Sequence, residues 1–524
     1  MSYTRINATA ATLTKNRTGN DISPSSGMCV TCIEGCPGLC EIGQSALRGS
    51  EVIYPQPFGT ITAASQKNYP VDLSHFNIMG TAVGAVGIEA DSDKATFPNV
   101  KVETKVGQGK GVRLRMPMVI PGLGSTNIAK NNWDGLAIGA AISGIILTIG
   151  ENVCGMDEKS EIKNGKVLQS PELERRVKLY HDWQDEFGAI VLQSNVEDTR
   201  LGVLEYGLSK LGIEIVELKW GQGAKDIGGE VKITSLEKAK MLRERGYIVL
   251  PDPLDPEVQE SFKNKTFKEF ERHSRIGMVE KESFMKRVKE LRDLGAKYVF
   301  LKTGAYRPAD LARAVKFASE AKIDLLTVDG AGGGTGMSPW RMMNEWGVPT
   351  VEIFSLTYQY IDRLAKKGQY VPDVAFASGI TLEDQMFKVL ALGAPYAKLV
   401  GMARAPVAAA MVGKTIGNMI EKRKLPPTLE KHGMSIEEIF ITTPELKHRF
   451  GNKFSQIPPA AIGLYTYVQR LSQGLRQLMC GGRKFALEHI SRNDIVSLTK
   501  EASQISGIQY VMDCDKEEVD KILG

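Results

Sequence analysis

Between Val112 and Gly401 the chain repeats one pattern eight times, a short apolar β-favouring run followed by a helical stretch. The runs are Met116–Ile120, Ile145–Ile149, Ala189–Leu192, Ile213–Lys219, Tyr298–Lys302, Leu325–Asp329, Val374–Ser378 and Ala397–Gly401. Several of the intervening helices have legible ends. Thr234 and Glu237 have capping-box spacing, and Gly246 closes that helix. Phe284, Val288 and Leu291 recur on one face before Gly295, and Leu311, Val315 and Ala318 do the same. Thr381 with Asp384 opens a helix that stops at Gly393. Strands joined by helical crossovers lie parallel and need cover on both faces. Eight of them over about 290 residues predict an α/β fold with a closed (β/α)8 TIM barrel, an open doubly wound sheet being the alternative. The Pro- and charge-rich stretch Leu250–Arg275 interrupts the alternation and reads as an excursion on the barrel rim.

The flanks differ from this centre. Residues 1–26 are polar and read as an extended arm, and residues 50–110 read as an irregular connection without helical period. After Ala403 the pattern turns helical, at Ala405–Lys422, Ala460–Leu478 and Arg492–Ser506, which suggests a helical cap on the barrel. Three regions result: an N-terminal arm with its cysteine segment at 1–110, the barrel at 111–422, and a C-terminal helical extension at 423–524.

Composition narrows the function classes. With 66 basic and 61 acidic residues the net charge is +5, too balanced to argue for a nucleic-acid or membrane-surface partner. The longest apolar run, Gly135–Gly150, is broken by Gly139, Ser143, Gly144 and Thr148, and is too short to insert in a bilayer. The first residues lack the apolar segment of a secretory signal, so a cytoplasmic location is expected.

Four of the seven cysteines fall within twelve residues, in GMCVTCIEGCPGLCEIGQ: Cys29, Cys32, Cys36 and Cys40. A chain with ample core has no need of a disulfide framework crowded in this way. Four soft thiolates in a short loop, with Pro37 and Gly38 supplying the turn, suit a 4Fe–4S cubane whose irons each need one sulfur ligand. Zinc is the competing metal, although four-cysteine zinc sites usually use two knuckles separated by a longer insert. The remaining cysteines, Cys154, Cys480 and Cys514, are scattered; Cys480 reads as a small apolar residue at a helix end.

A cluster that moves single electrons needs a partner, and the barrel offers a place for one. Barrel chemistry is built at the C-terminal strand ends, with phosphate often held by the loops after strands seven and eight. Strand seven runs into Ser378-Gly379-Ile380-Thr381, and strand eight into Gly401-Met402-Ala403-Arg404. Glycine-opened backbone at a helix start, with an arginine nearby, suits a phosphate. The sixth strand runs into the glycine-rich DLLTVDGAGGGTGMSP of Asp324–Pro339, which lets bare backbone approach something flat or anionic. Lys219 and Lys302 end strands four and five, where a cation could steady the N1–C2=O side of a reduced flavin. FMN is the attractive ligand, because it passes one electron at a time to a cluster and two to a substrate.

These residues also resemble a known family. KWGQGAKDIGGEV (Lys219–Val231), DGAGGGTGMSP (Asp329–Pro339), SGITLED (Ser378–Asp384) and LGAPYAKLVGMA (Leu392–Ala403) occur in the order and spacing of the FMN-binding synthase domain of glutamate synthases. GLGSTNIAKNNWDGLAIGAAISGI followed by GEN resembles its first strand–helix unit. The likeness extends over residues 110–420 and is closer to the stand-alone, ferredoxin-bearing proteins of this group. It implies FMN contacts from Lys219, Gln222, Lys302, Gly333, Gly334, Gly379 and Gly401, to which Arg404 is added as a phosphate contact. It places Glu151 and Lys225 near the substrate, so Glu151, Lys225 and Lys302 are the expected catalytic set. The implied reaction is reduction of 2-iminoglutarate, formed from 2-oxoglutarate and ammonia, to glutamate. Electrons would come from ferredoxin or a pyridine-nucleotide reductase subunit, ammonia from solution or a separate glutaminase subunit, and an oligomer is expected.

The chain departs from the family pattern at three points. No amidotransferase domain with its nucleophilic cysteine precedes the barrel, so glutamine hydrolysis is not expected of this chain. Ala403–Lys424 lacks the three cysteines that hold a 3Fe–4S cluster in the large enzymes. Ala331 and Gly332 stand where the family usually carries a His-Asp pair, which points to an altered substrate, or to an electron-transfer subunit without one. The six histidines are dispersed without ligand spacing, and Met342 and Met343 read as core filler beside Trp346.

Overall fold

Each of the eight apolar runs forms a strand, and hydrogen bonding carries the sheet round until it closes on itself. The computed structural model describes residues 46–47, 65, 67–221, 231–334 and 339–524. In chain order the barrel strands are β1 (Met118–Leu123), β2 (Ile146–Ile149), β3 (Ala189–Ser194), β4 (Ile215–Lys219), β5 (Tyr298–Thr303), β6 (Leu325–Asp329), β7 (Asp373–Ala377) and β8 (Ala397–Gly401). Each pairs in parallel with its sequence neighbours, and β8 returns to β1 through Val400 opposite Met118. The chain is a (β/α)8 TIM barrel.

The period of two along each strand sorts side chains to two sides. Outward residues such as Leu147, Leu192, Leu218, Leu301, Val328 and Phe376 join the main core under the helices. Val119, Ile146, Val191, Ile215, Phe300, Leu325, Ala375 and Leu399 form a separate apolar layer inside the barrel. That layer is plugged from the N-terminal end by an antiparallel pair, Thr104–Val106 with Val112–Leu114, whose Val106, Val112 and Leu114 are buried in it. The connection read as irregular therefore contains the barrel floor. Gly107 N–H donates to Asp373 at 2.8 Å and Gln108 N–H to Asp324 at 3.5 Å, fixing the floor to the strand starts.

The first barrel helix, α1 (Asn127–Ser143), is capped by Thr126, which accepts from Ala129 N–H at 3.3 Å, and ends on left-handed Gly144. The helical faces expected at Phe284/Val288/Leu291 and Leu311/Val315/Ala318 are the buried ones. The helix expected from Thr234 begins one residue later, at Leu236, because Ser235 rather than Thr234 caps it. Leu250–Arg275 belongs to more than a rim excursion. Val231–Ile233, Phe270–His273 and Ile248–Leu250 form a three-stranded antiparallel sheet in that order, carrying its own apolar cluster around Phe270, Tyr247 and Leu242. This small unit is inserted after β4, on the catalytic side of a barrel.

The C-terminal region lies along the flank of the barrel instead of capping its end. Helix α2 (Arg404–Glu421) is the eighth barrel helix, and α3 (Pro459–Gly481) packs on both α1 and α2. Small residues allow the approach: Gly135 meets Ala460, and Gly413 meets the backbone of Pro459, with no room for a Cβ at either. The expected helix Arg492–Ser506 is a short 3-10 turn at Arg492–Asp494 and an α-helix at Lys500–Ser506. Ile495–Ser497 is a strand paired antiparallel with Phe76–Ile78, tying the two flanks together. Met343 is fully buried as expected, and Cys480 is partly buried against the main core.

Candidate active site

Continuing inward and upward from the apolar layer, the same alternation brings polar side chains into the C-terminal mouth. Gln193, Glu217, Lys302 and Thr327 are all buried, and Lys219 and Asp329 follow one step above Glu217 and Thr327 on β4 and β6. Lys302 lies directly opposite both Lys219 and Thr327 in register. Two ammonium groups side by side in a dry interior repel, so each needs a counter-charge. Lys219 Nζ pairs with Glu151 Oε2 at 2.9 Å, and Lys302 Nζ with Asp329 Oδ2 at 3.2 Å. Burial alone would raise the Glu151 carboxyl, but the Lys219 ammonium outweighs it and holds Glu151 below the usual carboxylate range.

The turn carrying Glu151 is tightly held. Asn152 sits in the left-handed region at φ 64°. Its N–H donates to Asp198 at 2.8 Å, and its Oδ1 accepts from Tyr247 of the inserted unit at 3.3 Å. Burial pushes Asp198 up to about 7, and the neighbouring Glu151 adds to the rise. Gly124 and Gly150 let the first two loops pack backbone to backbone, a Cβ on Gly150 coming within 2.6 Å of Gly124 N.

Loops six and seven close on each other. Gly330 N–H donates to Ala377 at 2.9 Å, Ala331 N–H to Val348 at 3.0 Å, and Thr350 and Ser378 hydroxyls meet at 2.5 Å. Ala331 is fully buried, and a Cβ on Gly332 would lie 2.7 Å from Thr350 Oγ1. Ala331 and Gly332 thus form a packed contact, in which there is space only for small residues.

Of the residues expected at the site, Glu151, Lys219 and Lys302 are brought together in the mouth. Gly379 is left-handed at φ 67°, facing the Gly332 carbonyl. Gly401 ends β8, packed against Ala377. Gly333 N–H is engaged with Gly330 at 3.0 Å, and Gly334 follows it. Arg404 is exposed at the start of α2. Gln222, Lys225 and Cys29, Cys32, Cys36 and Cys40 lie outside the described residues. Among the described residues no group of three His, Cys, Asp or Glu side chains could hold a metal ion. Nor is any helix among them long and apolar enough to cross a membrane.

Sequence reasoning missed Gln193, Glu217, Asp329 and Asp198. The available signal was parity: Glu217 interrupts an otherwise apolar strand two residues before Lys219, and so must share its face. On the inward side of β3, Gln193 Oε1 and, one step above it, Asn195 Nδ2 are buried and make no hydrogen bond. Such groups are costly unless a bound molecule or water satisfies them.

Geometry thus defines a (β/α)8 barrel with a buried, charge-paired polar mouth at the C-terminal ends of its strands. Residues 268–412, from the end of the inserted unit through β8 into α2, match the family model described as a conserved region in glutamate synthase. Over that region the match agrees with the resemblance read from the motifs. No curated protein matches the chain. Among solved structures, a refolded Pediococcus acidilactici protein described as a lactate oxidase is 13% identical, covering 82% of this chain and 84% of its own, with a TM-score of 0.45. A flavocytochrome b2 variant with sulfite bound is 12% identical, covering 90% and 89%, with a TM-score of 0.47. Likeness this low carries nothing about chemistry.

Proposed function

We propose that this protein is an FMN-dependent oxidoreductase of the glutamate synthase type. The observation that carries the reading is the pair of buried lysines, Lys219 and Lys302, at the mouth of a barrel whose second half matches the glutamate synthase region. The residues present fit a flavin: buried cations, unsatisfied polar atoms at the rim, and glycine backbone at loops six to eight. When bound, FMN would supply hydride and single-electron chemistry. Lys219 and Lys302 would hold its N1–C2=O edge, and Gly379, Gly401 and Arg404 would lie toward its phosphate. Glu151, ion-paired to Lys219, would orient a substrate ammonium or imine group, with Lys225 beside it. The packed loops six and seven would exclude water from the reacting face.

In this reading Cys29, Cys32, Cys36 and Cys40 hold a 4Fe–4S cluster that exchanges electrons with the flavin. Further along the chain from that segment, Lys67 pairs with Glu345 at 2.5 Å, and Tyr69 OH donates to the Ala331 carbonyl of loop six at 3.5 Å. The substrate we assign is 2-iminoglutarate from 2-oxoglutarate and ammonia. A ferredoxin or a pyridine-nucleotide reductase subunit would donate electrons, and a separate glutaminase subunit could deliver ammonia. The closed Ala331–Gly332 turn favours a second reading, in which the cofactors are the same but the carbon skeleton differs.

Anaerobically purified protein should show a flavin spectrum with a broad cluster shoulder, and should be reoxidised after reduction by 2-oxoglutarate plus ammonia. A colourless, zinc-bearing preparation would overturn the reading; a coloured one inert to that pair would leave the second. Cys29→Ala should remove iron while FMN stays bound, and retention of stoichiometric iron would refute the ligand assignment.

A further inference from the structure

Among the described residues, the charges in the mouth do not balance. Two ammonium groups, Lys219 and Lys302, face three carboxylates: Glu151 across from Lys219, Asp329 on β6 and Glu217 one step below on β4. Glu151 and Asp329 are ion-paired, whereas Glu217 has no cation at ion-pair distance among the described residues. Glu217 is 4% exposed and directly above the apolar layer, opposite Phe300 in register. Its Oε1 accepts from Gln193 Nε2 at 2.5 Å, and Gly122 leaves the space that the Gln193 amide fills. The charged groups acting on it are Lys302 from β5 and Lys219 from β4 itself, which are paired in turn with Asp329 from β6 and Glu151 from the turn after β2; Thr327 approaches from β6 as a hydrogen-bond partner.

With Glu217 ionised these five groups sum to one negative charge; with Glu217 protonated they sum to zero. Negative charge arriving in so dry a space must be compensated nearby. Glu151 and Asp329 are committed to their lysines, which leaves Glu217 as the group free to change charge. We propose that Glu217 is a proton-accepting positioning residue of this site, which takes up one proton when negative charge is delivered to the mouth. This rests on the flavin reading above. Burial raises the proton affinity of Glu217 and the Lys302 ammonium opposes it, so the group answers to a further change in local charge.

The balance is simple. Two-electron reduction of a flavin whose N1 stays deprotonated consumes one proton, at N5. Uptake by the Glu217 carboxylate adds a second, forming an O–H bond and leaving the flavin's own chemistry unchanged.

The test is the pH dependence of the midpoint potential of FMN-loaded protein, from about pH 6 to about pH 10, in wild type and Glu217→Gln. Glutamine keeps the acceptor for Gln193 Nε2 and mimics the protonated acid. Wild type should take up two protons per electron pair over the window in which Glu217 is ionised in the oxidised protein, and Glu217→Gln only one. Equal counts in the two proteins would overturn the proposal while leaving the flavin reading intact. Failure of both proteins to retain FMN would overturn the two together. Should the variant not fold, the reduced-minus-oxidised infrared spectrum of wild type decides. A carboxylic acid C=O band gained on reduction supports the proposal, and its absence refutes it.

Discussion

Asp198→Asn tests the buried polar frame behind Glu151. Asp198 is 1% exposed, its one hydrogen bond across to the Glu151 turn comes from Asn152 N–H at 2.8 Å, and its Oδ1 is buried without a partner. Burial, reinforced by Glu151, moves its proton affinity from the ordinary 3.8 to about 7. The sign follows from linkage. Between those limits the folded protein holds a proton that the unfolded chain has lost, so stability falls as pH rises through the window. The contribution is fully present below the unfolded value and gone above the folded one. A rise of about three pH units corresponds to about 4 kcal/mol, or about 4 °C in Tm for a chain of this length. Asparagine keeps an oxygen for the Asn152 N–H and does not titrate. Thermal or urea unfolding of both proteins from about pH 4 to about pH 8 should therefore show wild type losing stability relative to Asp198→Asn as pH rises. Because the other groups titrate in both, the difference isolates Asp198 and its coupling to Glu151. A pH-independent difference would refute the assignment.

Two further substitutions probe the mouth. Lys302→Met removes the ammonium beside buried Asp329 and should cost about 3 kcal/mol in urea unfolding, with Asp329→Asn in the same chain recovering part of it; no recovery would mean the pair is not the source of the loss. Gly332→Ala must displace the Thr350–Ser378 hydroxyl pair and should cost about 1–3 kcal/mol, whereas an unchanged midpoint would show that loops six and seven are not packed as described.

The barrel was legible because its signals are local. A strand buried on both faces is mostly apolar along its length, as Ile146–Ile149 and Leu325–Val328 are but for Thr148 and Thr327, and a helix must show its buried face at its own period. The flanks were less legible. Ile495–Ser497 is a strand only because Phe76–Ile78 lies beside it, more than four hundred residues away in sequence. Pairing of that kind leaves no periodic trace in either segment.

At the site, the chain alone determined that Lys219 and Lys302 end neighbouring strands, since strand order follows sequence order in a parallel barrel. It also determined the glycine-rich loop at 330–334. Only closure of the barrel decided the rest. Pairing and closure turned alternate residues of separate strands into one ring, which set Glu217 beside Gln193, and Asp329 beside Lys302. Only the packing of loop on loop decided that Ala331 and Gly332 fill a contact instead of projecting polar groups. Local sequence carries hydrophobic period and turn chemistry. The charge balance of a site depends on distances between strands, and those exist only once the sheet has closed.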